Sequence, residues 1–479
     1  MVKIHNALAI SVALLLGFDW GFVQAQTTKP NILIILADDL GRGDYSAFGT
    51  RDIQTPNIDR LCNEGMTFRN FFANSCVCSP SRASLMTGCY PDCVGVPGLV
   101  RDEPDDSWGY LFPGASVLPQ VLKPAGYHTA LIGKWNLGLE SPNLPNERGF
   151  DLFHGFLNDM MDDYWTHLRH GQNFMRLNGN AIKSRGHATD VFTGWACDYL
   201  QQQTKTDGPF FLYLAYTAPH FPIQPPADWL ERVKHREPNL SEKRAKLVAL
   251  IEHFDHGIGQ ILNTLDRTGL ATNTLIVFNS DNGGRLEDEA NNGPWRGGKQ
   301  HMYEGGLRVP GIVRWQGVIK PGSSTERMTM TMDIFPTVCE VAGVTPPNQI
   351  DGLSFLAALT GKDESSPKRD LYFIRREGGI EYGGKTIEAY RRDEWKLLQD
   401  NPFAPLELYD LHADPLESTN LAMKNHQILQ QLLRAMMKQI QVGGQVGWQP
   451  PHPSPDSNHR SSTNPRNAKT IELHVEKGN

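Results

Sequence analysis

Four short apolar runs, residues 32–37, 128–132, 210–215 and 274–278, are separated by stretches with apolar residues at helical spacing, among them residues 116–122 and 243–265. Apolar runs of this length without polar alternation read as strands buried on both faces, and such strands need helices over each side of the sheet. The alternation therefore predicts an α/β domain with a largely parallel sheet covered on both faces. From about Asp370 the rhythm changes. Residues 371–374, 386–390, 395–398 and 406–409 are strand-like runs with no helix between them, which predicts a small antiparallel sheet. Ile428, Leu429, Leu432, Leu433, Met436, Met437 and Ile440 then recur at three and four residues, predicting a helix that Gly443-Gly444 stops.

The chain has 479 residues, which suits two or three units. The expected division is residues 28–365 for the α/β domain, 366–445 for the antiparallel sheet and its helix, and 446–479 for a tail rich in Pro, Ser and Asn. Residues 1–25 read as a secretory signal: Lys3 precedes an apolar stretch from Ala7 to Phe18, and Val23-Gln24-Ala25 carries the small residues a signal peptidase reads. Asp19 interrupts the run before it reaches the ~20 residues of a membrane anchor. Cleavage after Ala25 and a periplasmic or extracellular destination are the expectations, with no membrane span left afterwards. A formal net charge of −7 argues against nucleic acid as a partner, so any anionic ligand has to be held locally.

Ligands of open α/β sheets bind beyond the carboxyl ends of the strands. The first run ends in Asp38-Asp39, the second in Gly133-Lys134-Trp135-Asn136, the third in Pro219-His220 and the fourth in Ser280-Asp281-Asn282-Gly283-Gly284. Asp38, Asp39, Asp281 and the side-chain carbonyl of Asn282 make an all-oxygen set, which suits Ca²⁺ or Mg²⁺ rather than zinc. A helix N-cap is the other role open to an Asp-Asp pair after a strand. Lys134 and Lys299 both stand among glycines, where backbone can approach a ligand closely. Taken singly, each also reads as a surface lysine, and His220 as a core histidine.

Residues 74–88 contain Cys-x-Pro-Ser-Arg at 78–82, opening onto a helix. This pentapeptide coincides with Asp38-Asp39, Gly-Lys-Trp at 133–135, Pro219-His220, Asp281-Asn282 and Gly-Gly-Lys at 297–299. In these motifs and their order the chain resembles the formylglycine-dependent sulfatases of the alkaline-phosphatase-like superfamily, from Pro30 to about Leu421, in the branch that includes N-acetylgalactosamine-6-sulfatases. The resemblance implies a large mixed, mostly parallel sheet sandwiched by helices, with a smaller C-terminal antiparallel sheet packed by a helix. It implies that Cys78 is oxidised to formylglycine by a formylglycine-generating or anaerobic sulfatase-maturating enzyme. The hydrated aldehyde would be both nucleophile and metal ligand beside Asp38, Asp39, Asp281 and Asn282, with a covalent sulfo-enzyme intermediate. Arg82 would hold the diol, Lys134 and Lys299 would contact sulfate oxygens, and His220 would serve the leaving oxygen. One departure stands out: where the family reads Gly-Lys-Trp-His, this sequence has Asn136, and an amide accepts no proton at neutral pH.

The implied function is a secreted sulfatase acting on a sulfated carbohydrate, a glycosaminoglycan or an algal polysaccharide. A phosphonate or phosphodiester hydrolase, or a degenerate sulfatase that only binds carbohydrate, are the alternatives. Residues 160–170, Met-Met-Asp-Asp-Tyr-Trp-Thr-His-Leu-Arg-His, have a composition suited to sugar binding or to a packed loop, and residues 96–110 are a second candidate wall. Asp255-His256 reads as structural or surface. With Cys78 set aside, Cys62, Cys76, Cys89, Cys93, Cys197 and Cys339 remain, an even six whose pairing the sequence leaves open, including local bridges around Cys78.

Overall fold

The computed structural model describes residues 29–102, 107–346, 349–362, 365, 367–377, 385–447, 449 and 470–472. The signal reading of residues 1–25 and most of the tail lie outside them. The large sheet is built from β1 (Asn31–Ala37), β2 (Met66–Phe72), β3 (His128–Lys134), β4 (Leu152–Phe156), β5 (Phe210–Ala215), β6 (Thr274–Ser280), β7 (Gly311–Arg314) and β8 (Ser323–Met330). Short strands Met175–Leu177, Asn180–Lys183 and Thr470–Glu472 extend one edge. The order is β8-β2-β7-β6-β1-β5-β3-β4 and then those three. At its centre β6, β1, β5, β3 and β4 run parallel, while β7 is antiparallel to both neighbours. The expected mixed, mostly parallel sheet is what forms, and β1, β5 and β6 are buried along their whole length.

Helices cover the sheet, among them α1 (Cys78–Thr87), α2 (Ala188–Gln203) and α3 (Glu242–Arg267). The side chain of Ser241 caps α3 by accepting from the Arg244 amide at 3.0 Å. Asp255, buried on α3, accepts from the amides of Asn57 and Ile58 and so caps the helix Pro56–Glu64, a structural role. Helix α1 is buried throughout and ends at Gly88, whose φ of 71° is the left-handed conformation that closes a helix.

Beyond the large sheet, β9 (Leu371–Arg376), β10 (Thr386–Arg392), β11 (Trp395–Gln399) and β12 (Glu407–Asp410) form a four-stranded antiparallel meander, and α4 (His426–Gly443) packs on it. This sheet shares its apolar core with the larger unit: Leu371, Phe373, Ile387 and Leu408 pack in one cluster with Phe72, Val77, Met302, Leu307 and Met330. It is thereby docked against the loop that carries Cys78. All seven cysteines are free thiols, so no bridge braces that loop. The reason is placement: Cys76 is buried in the shared core, whereas Cys197 lies on α2, where its sulfur accepts from Thr264. Among the described residues no helix is long and apolar enough to cross a membrane.

Candidate active site

Four parallel strands put their carboxyl ends side by side. Ala37 of β1 pairs in register with Ser280 of β6, Leu36 with Ala215 of β5, and Ala215 with Gly133 of β3. The residues that follow, Asp38-Asp39, Asp281-Asn282, the segment to His220 and Lys134 itself, therefore converge on one edge. The approach of β3 to β5 needs a glycine at 133, because a Cβ there would lie 1.9 Å from the Ala215 carbonyl oxygen and φ is 104°. Cys78 opens α1 over this edge, and Lys299 reaches it from the loop after β6.

In the pocket Lys134 Nζ donates to Asp38 at 2.7 Å and Lys299 Nζ to Asp39 at 2.7 Å. Arg82 donates from Nε and Nη2 to the same Asp281 oxygen at 3.0 and 2.8 Å, and from Nη1 to the Lys134 carbonyl at 3.3 Å. The Cys78 thiol lies 3.5 Å from an Asp38 oxygen and 3.7 Å from Lys299 Nζ. His220 Nε2 is 3.6 Å from Asp39, and its Nδ1 lies 2.6 Å from the Phe221 carbonyl, which fixes Nδ1 as the protonated nitrogen of the neutral ring. Tyr164 donates its hydroxyl to the carbonyls of Thr217 and His220 at 2.6 and 2.8 Å, fixing the His220 backbone.

Every one of these groups is buried, so their protonation follows from their neighbours. Burial works against the charge on Asp38, but Lys134, His220 and Arg82 outweigh it and hold the carboxyl below its ordinary range. Asp39 is likewise held low against burial by Lys299 and His220. Asp281 goes the other way: burial and the charge of Asp38 raise it despite Arg82. Burial lowers His220, with Lys299 adding to the effect, and burial pushes the Cys78 thiol well up. An unmodified thiol here is therefore protonated and a poor nucleophile.

The donor set fits a divalent cation. Three carboxylates face three cations, Arg82, Lys134 and Lys299, yet the buried Asn282 Oδ1 has no hydrogen-bond partner while its Nδ2 is spent on Asp39 at 2.7 Å. Ligand atoms of Asp38, Asp39, Cys78 and His220 all lie within 4.8 Å of one another. An orphaned carbonyl oxygen among carboxylates lacks the electropositive neighbour that a hard cation would provide.

Comparison with known proteins agrees with this arrangement. The family model described as Sulfatase matches residues 30–344. The chain belongs to the sulfatase family. A second model, N-sulphoglucosamine sulphohydrolase, C-terminal, matches residues 295–443 of this sulfatase. It is 34% identical over 388 residues to N-acetylgalactosamine-6-sulfatase of Canis lupus familiaris, covering 76% of this chain and 72% of that one. To the steryl-sulfatase of Homo sapiens it is 31% identical over 449 residues, covering 75% and 74%. Among solved structures it is similar to Ps i-CgsB in complex with k-i-k-neocarrahexaose, with a TM-score of 0.80, 29% identity and 88% and 95% of the two chains covered. BT4656 in complex with its substrate D-glucosamine-2-N,6-O-disulfate is similar with a TM-score of 0.70 at 25% identity, with 89% and 100% covered.

Asp38, Asp39, Cys78, Arg82, Lys134, His220, Asp281, Asn282 and Lys299 meet in one cluster of this sulfatase, with Asn136 beside it, whereas Asp255 lies elsewhere on α3. Asn136 stands apart in what it touches: its Oδ1 accepts from Ser79 Oγ and its Nδ2 donates to the Val100 carbonyl, both at 2.8 Å. Ser79 in turn accepts from the Val100 amide at 2.9 Å, so Asn136 clasps the start of α1 to the segment at residue 100. Ser79 and Tyr164 were not singled out as site residues by their motifs; their roles rest on backbone carbonyls and an amide, which leave no residue-type signature. The two candidate walls do come together, since Asp102 lies 3.1 Å from His170 Nδ1 and 3.8 Å from Arg169 Nε.

Proposed function

We propose that this sulfatase hydrolyses the sulfate esters of a sulfated carbohydrate, a glycosaminoglycan or algal polysaccharide, with Cys78 matured to formylglycine as the nucleophile position. The single observation that carries the reading is the meeting of Cys78 with three cations and three carboxylates at the strand ends, beside the unpartnered Asn282 oxygen. Asp38, Asp39, Asp281 and Asn282, with the residue at 78, would hold Ca²⁺, or Mg²⁺ in its place, which when bound polarises the nucleophile and a sulfate oxygen.

The chain's own residues supply the rest. A sulfate monoester presents three peripheral oxygens whose charge has to be met, and Lys134 and Lys299 each carry three donors on a flexible stem, so either can turn from its carboxylate to an oxygen of the substrate. Arg82, clamped on Asp281 by two N–H groups, is fixed and steadies the residue at 78. With Nδ1 on the Phe221 carbonyl, Nε2 is the nitrogen of His220 left to exchange a proton with the leaving oxygen. Oxidation at 78 matters because a buried, protonated thiol offers little nucleophilicity, whereas one hydroxyl of a geminal diol can attack and the other can later expel sulfate.

The carbohydrate reading is supported by relatives named for N-acetylgalactosamine-6-sulfate and by neighbours solved with a carrageenan-type hexaose and a sulfated glucosamine. Secretion to the periplasm or beyond, maturation by a formylglycine-generating or anaerobic sulfatase-maturating enzyme, and a division at 365/366 complete the proposal. Sulfate release from a panel of defined sulfated oligosaccharides, run beside an aryl phosphodiester, tests it. Release from at least one saccharide is expected, abolished in Cys78→Ala, with loss of the thiol mass at Cys78 in peptide mass spectrometry. Equal activity in Cys78→Ala would sink the mechanism, and preference for the phosphodiester would sink the substrate class.

A further inference from the structure

Away from the strand-end pocket, a second group of ligating side chains lies between α2 and α3. His187, the N-cap of α2, Asp190 in its first turn and His253 on α3 each bring one ligand atom to within 4.8 Å of the others. Both imidazoles are buried, whereas the Asp190 side chain is 59% exposed, so the group is anchored from inside and reachable from solvent. It borders a cavity of about 330 Å³ lined by Asp190, Trp229, Arg232, His253, His256 and Gln260. The one cation in that lining, Arg232, is turned to Asp228 at 3.1 Å and over the Trp229 ring.

The hydrogen bonds of the His187 ring suit ligation, and His253 presents Nε2 to the same point. His187 Nε2 is paired with the Gln224 carbonyl at 2.9 Å and is thereby protonated, which leaves the lone pair on Nδ1. A backbone carbonyl on the far nitrogen is the usual support of a metal-bound histidine. The contact Nδ1 would give up is a long one, the Thr189 amide at 3.2 Å. His253 Nε2 lies 2.7 Å from Asp190, and its Nδ1 is buried with no partner. Moving the ring proton from Nε2 to Nδ1 gives up the hydrogen bond to Asp190, which a shared cation would replace, and frees Nε2 as a donor to metal.

The geometry points to a second cation site formed by His187, Asp190 and His253, which favours zinc over calcium and is distinct from the oxygen-lined pocket. Two imidazoles and one carboxylate with an open fourth position are borderline-soft ligands that favour Zn²⁺ over Ca²⁺. Such an ion ties α2 to α3. It also sits behind the catalytic wall, because the His187 ring stacks on Tyr164 at 4.9 Å, and Tyr164 holds the His220 carbonyl.

The test uses the full-length protein incubated with calcium, then with zinc chloride, and desalted. Metal content by mass spectrometry, titration calorimetry with zinc chloride and the melting temperature are the readouts. One zinc per chain and a higher melting temperature with zinc are expected. Asp190→Asn, at an exposed position, is expected to weaken zinc binding at least about tenfold and remove the melting shift with calcium content unchanged. His253→Gln is expected to do the same if it folds. Equal zinc uptake by Asp190→Asn and the unsubstituted protein overturns the site, as does no zinc uptake by a protein whose circular dichroism shows it folded.

Discussion

Two clusters of buried charge stand in this molecule, built from the same kinds of residue. At the strand ends, Asp38, Asp39 and Asp281 meet Arg82, Lys134 and Lys299. Under the antiparallel sheet, Glu304 and Glu417 meet Lys396, Arg308 and Arg391, with Lys396 2.9 and 2.8 Å from the two carboxylates. In both, one acid is held low by its cations and another is pushed up by burial: Asp38 against Asp281, and Glu304 against Glu417. The difference is in the balance. Three cations outnumber two carboxylates in the second cluster, where the buried Glu417 Oε1 makes no hydrogen bond but has Lys396 Nζ 2.8 Å away, whereas the first has as many carboxylates as cations and adds the unpartnered Asn282 oxygen and a thiol. A cluster that joins two sheets has its acids outnumbered by cations, while one that works on a ligand keeps acceptors to spare.

If that contrast is right, substitutions in the two clusters separate activity from stability. Asp281→Asn should lower sulfate release on the order of 10²–10³-fold, because it removes a proposed ligand and the charged anchor of Arg82, and should lower the melting temperature less than a substitution in the second cluster, because Asp38 still faces Arg82 at 3.5 Å. A large drop in melting temperature would erase the distinction. Lys396→Met should do the reverse: leaving two buried carboxylates without their shared cation costs about 3–5 kcal/mol, read by denaturant unfolding, while the folded fraction keeps its turnover. A variant that stays as stable as the parent would show that Lys396 is not structural.

Asp92 sharpens the contrast from the docking face of α4, where a Cβ on Gly443 would lie 1.9 Å from it. Both its oxygens are buried without hydrogen-bond partners, and burial, against the pull of Arg376, raises it to about 7 from an ordinary 3.8. Between those values the folded state holds a proton that the unfolded state lacks, so stability falls as pH rises from about 4 to about 7. Asp92→Asn should remove that part of the slope, and unfolding curves from pH 5 to 8 that stay parallel to the parent's would refute it. The smallest effect is expected at the clasp: Asn136→His keeps a ring nitrogen for Ser79 or Val100 and should hold activity within about tenfold. Total loss would place Asn136 in the chemistry itself.

The sheet and the strand-end residues were legible because both leave type-specific marks. Unbroken apolar runs as short and aromatic as residues 210–215 favour doubly buried strands over helices, and carboxylates, Lys and His directly after them have few reasons to sit together. Cys78 was legible through a motif. The second cluster was not, because Glu304, Lys396 and Glu417 lie up to 113 residues apart and each looks like an ordinary surface charge. Tyr164 sat in a loop whose composition suggested sugar contact, and only its hydroxyl's reach to two carbonyls shows that it supports His220. Local bridges near Cys78 stayed open in the sequence because cysteine spacing carries no direction, and the side chains point into different parts of the core.

The burial of Cys78 sets an order of events in the life of the chain. With Cys78 2% exposed at the start of the buried helix α1 and its sulfur against Asp38 and Lys299, residues 78–82 are closed to another enzyme in the finished molecule. If Cys78 is matured as proposed, its oxidation has to come while the segment is still extended, before β1 and β6 close beneath it. On that proposal a chain that folds first would be locked out, well formed yet without its nucleophile, and a race between maturation and folding would set the yield of active protein.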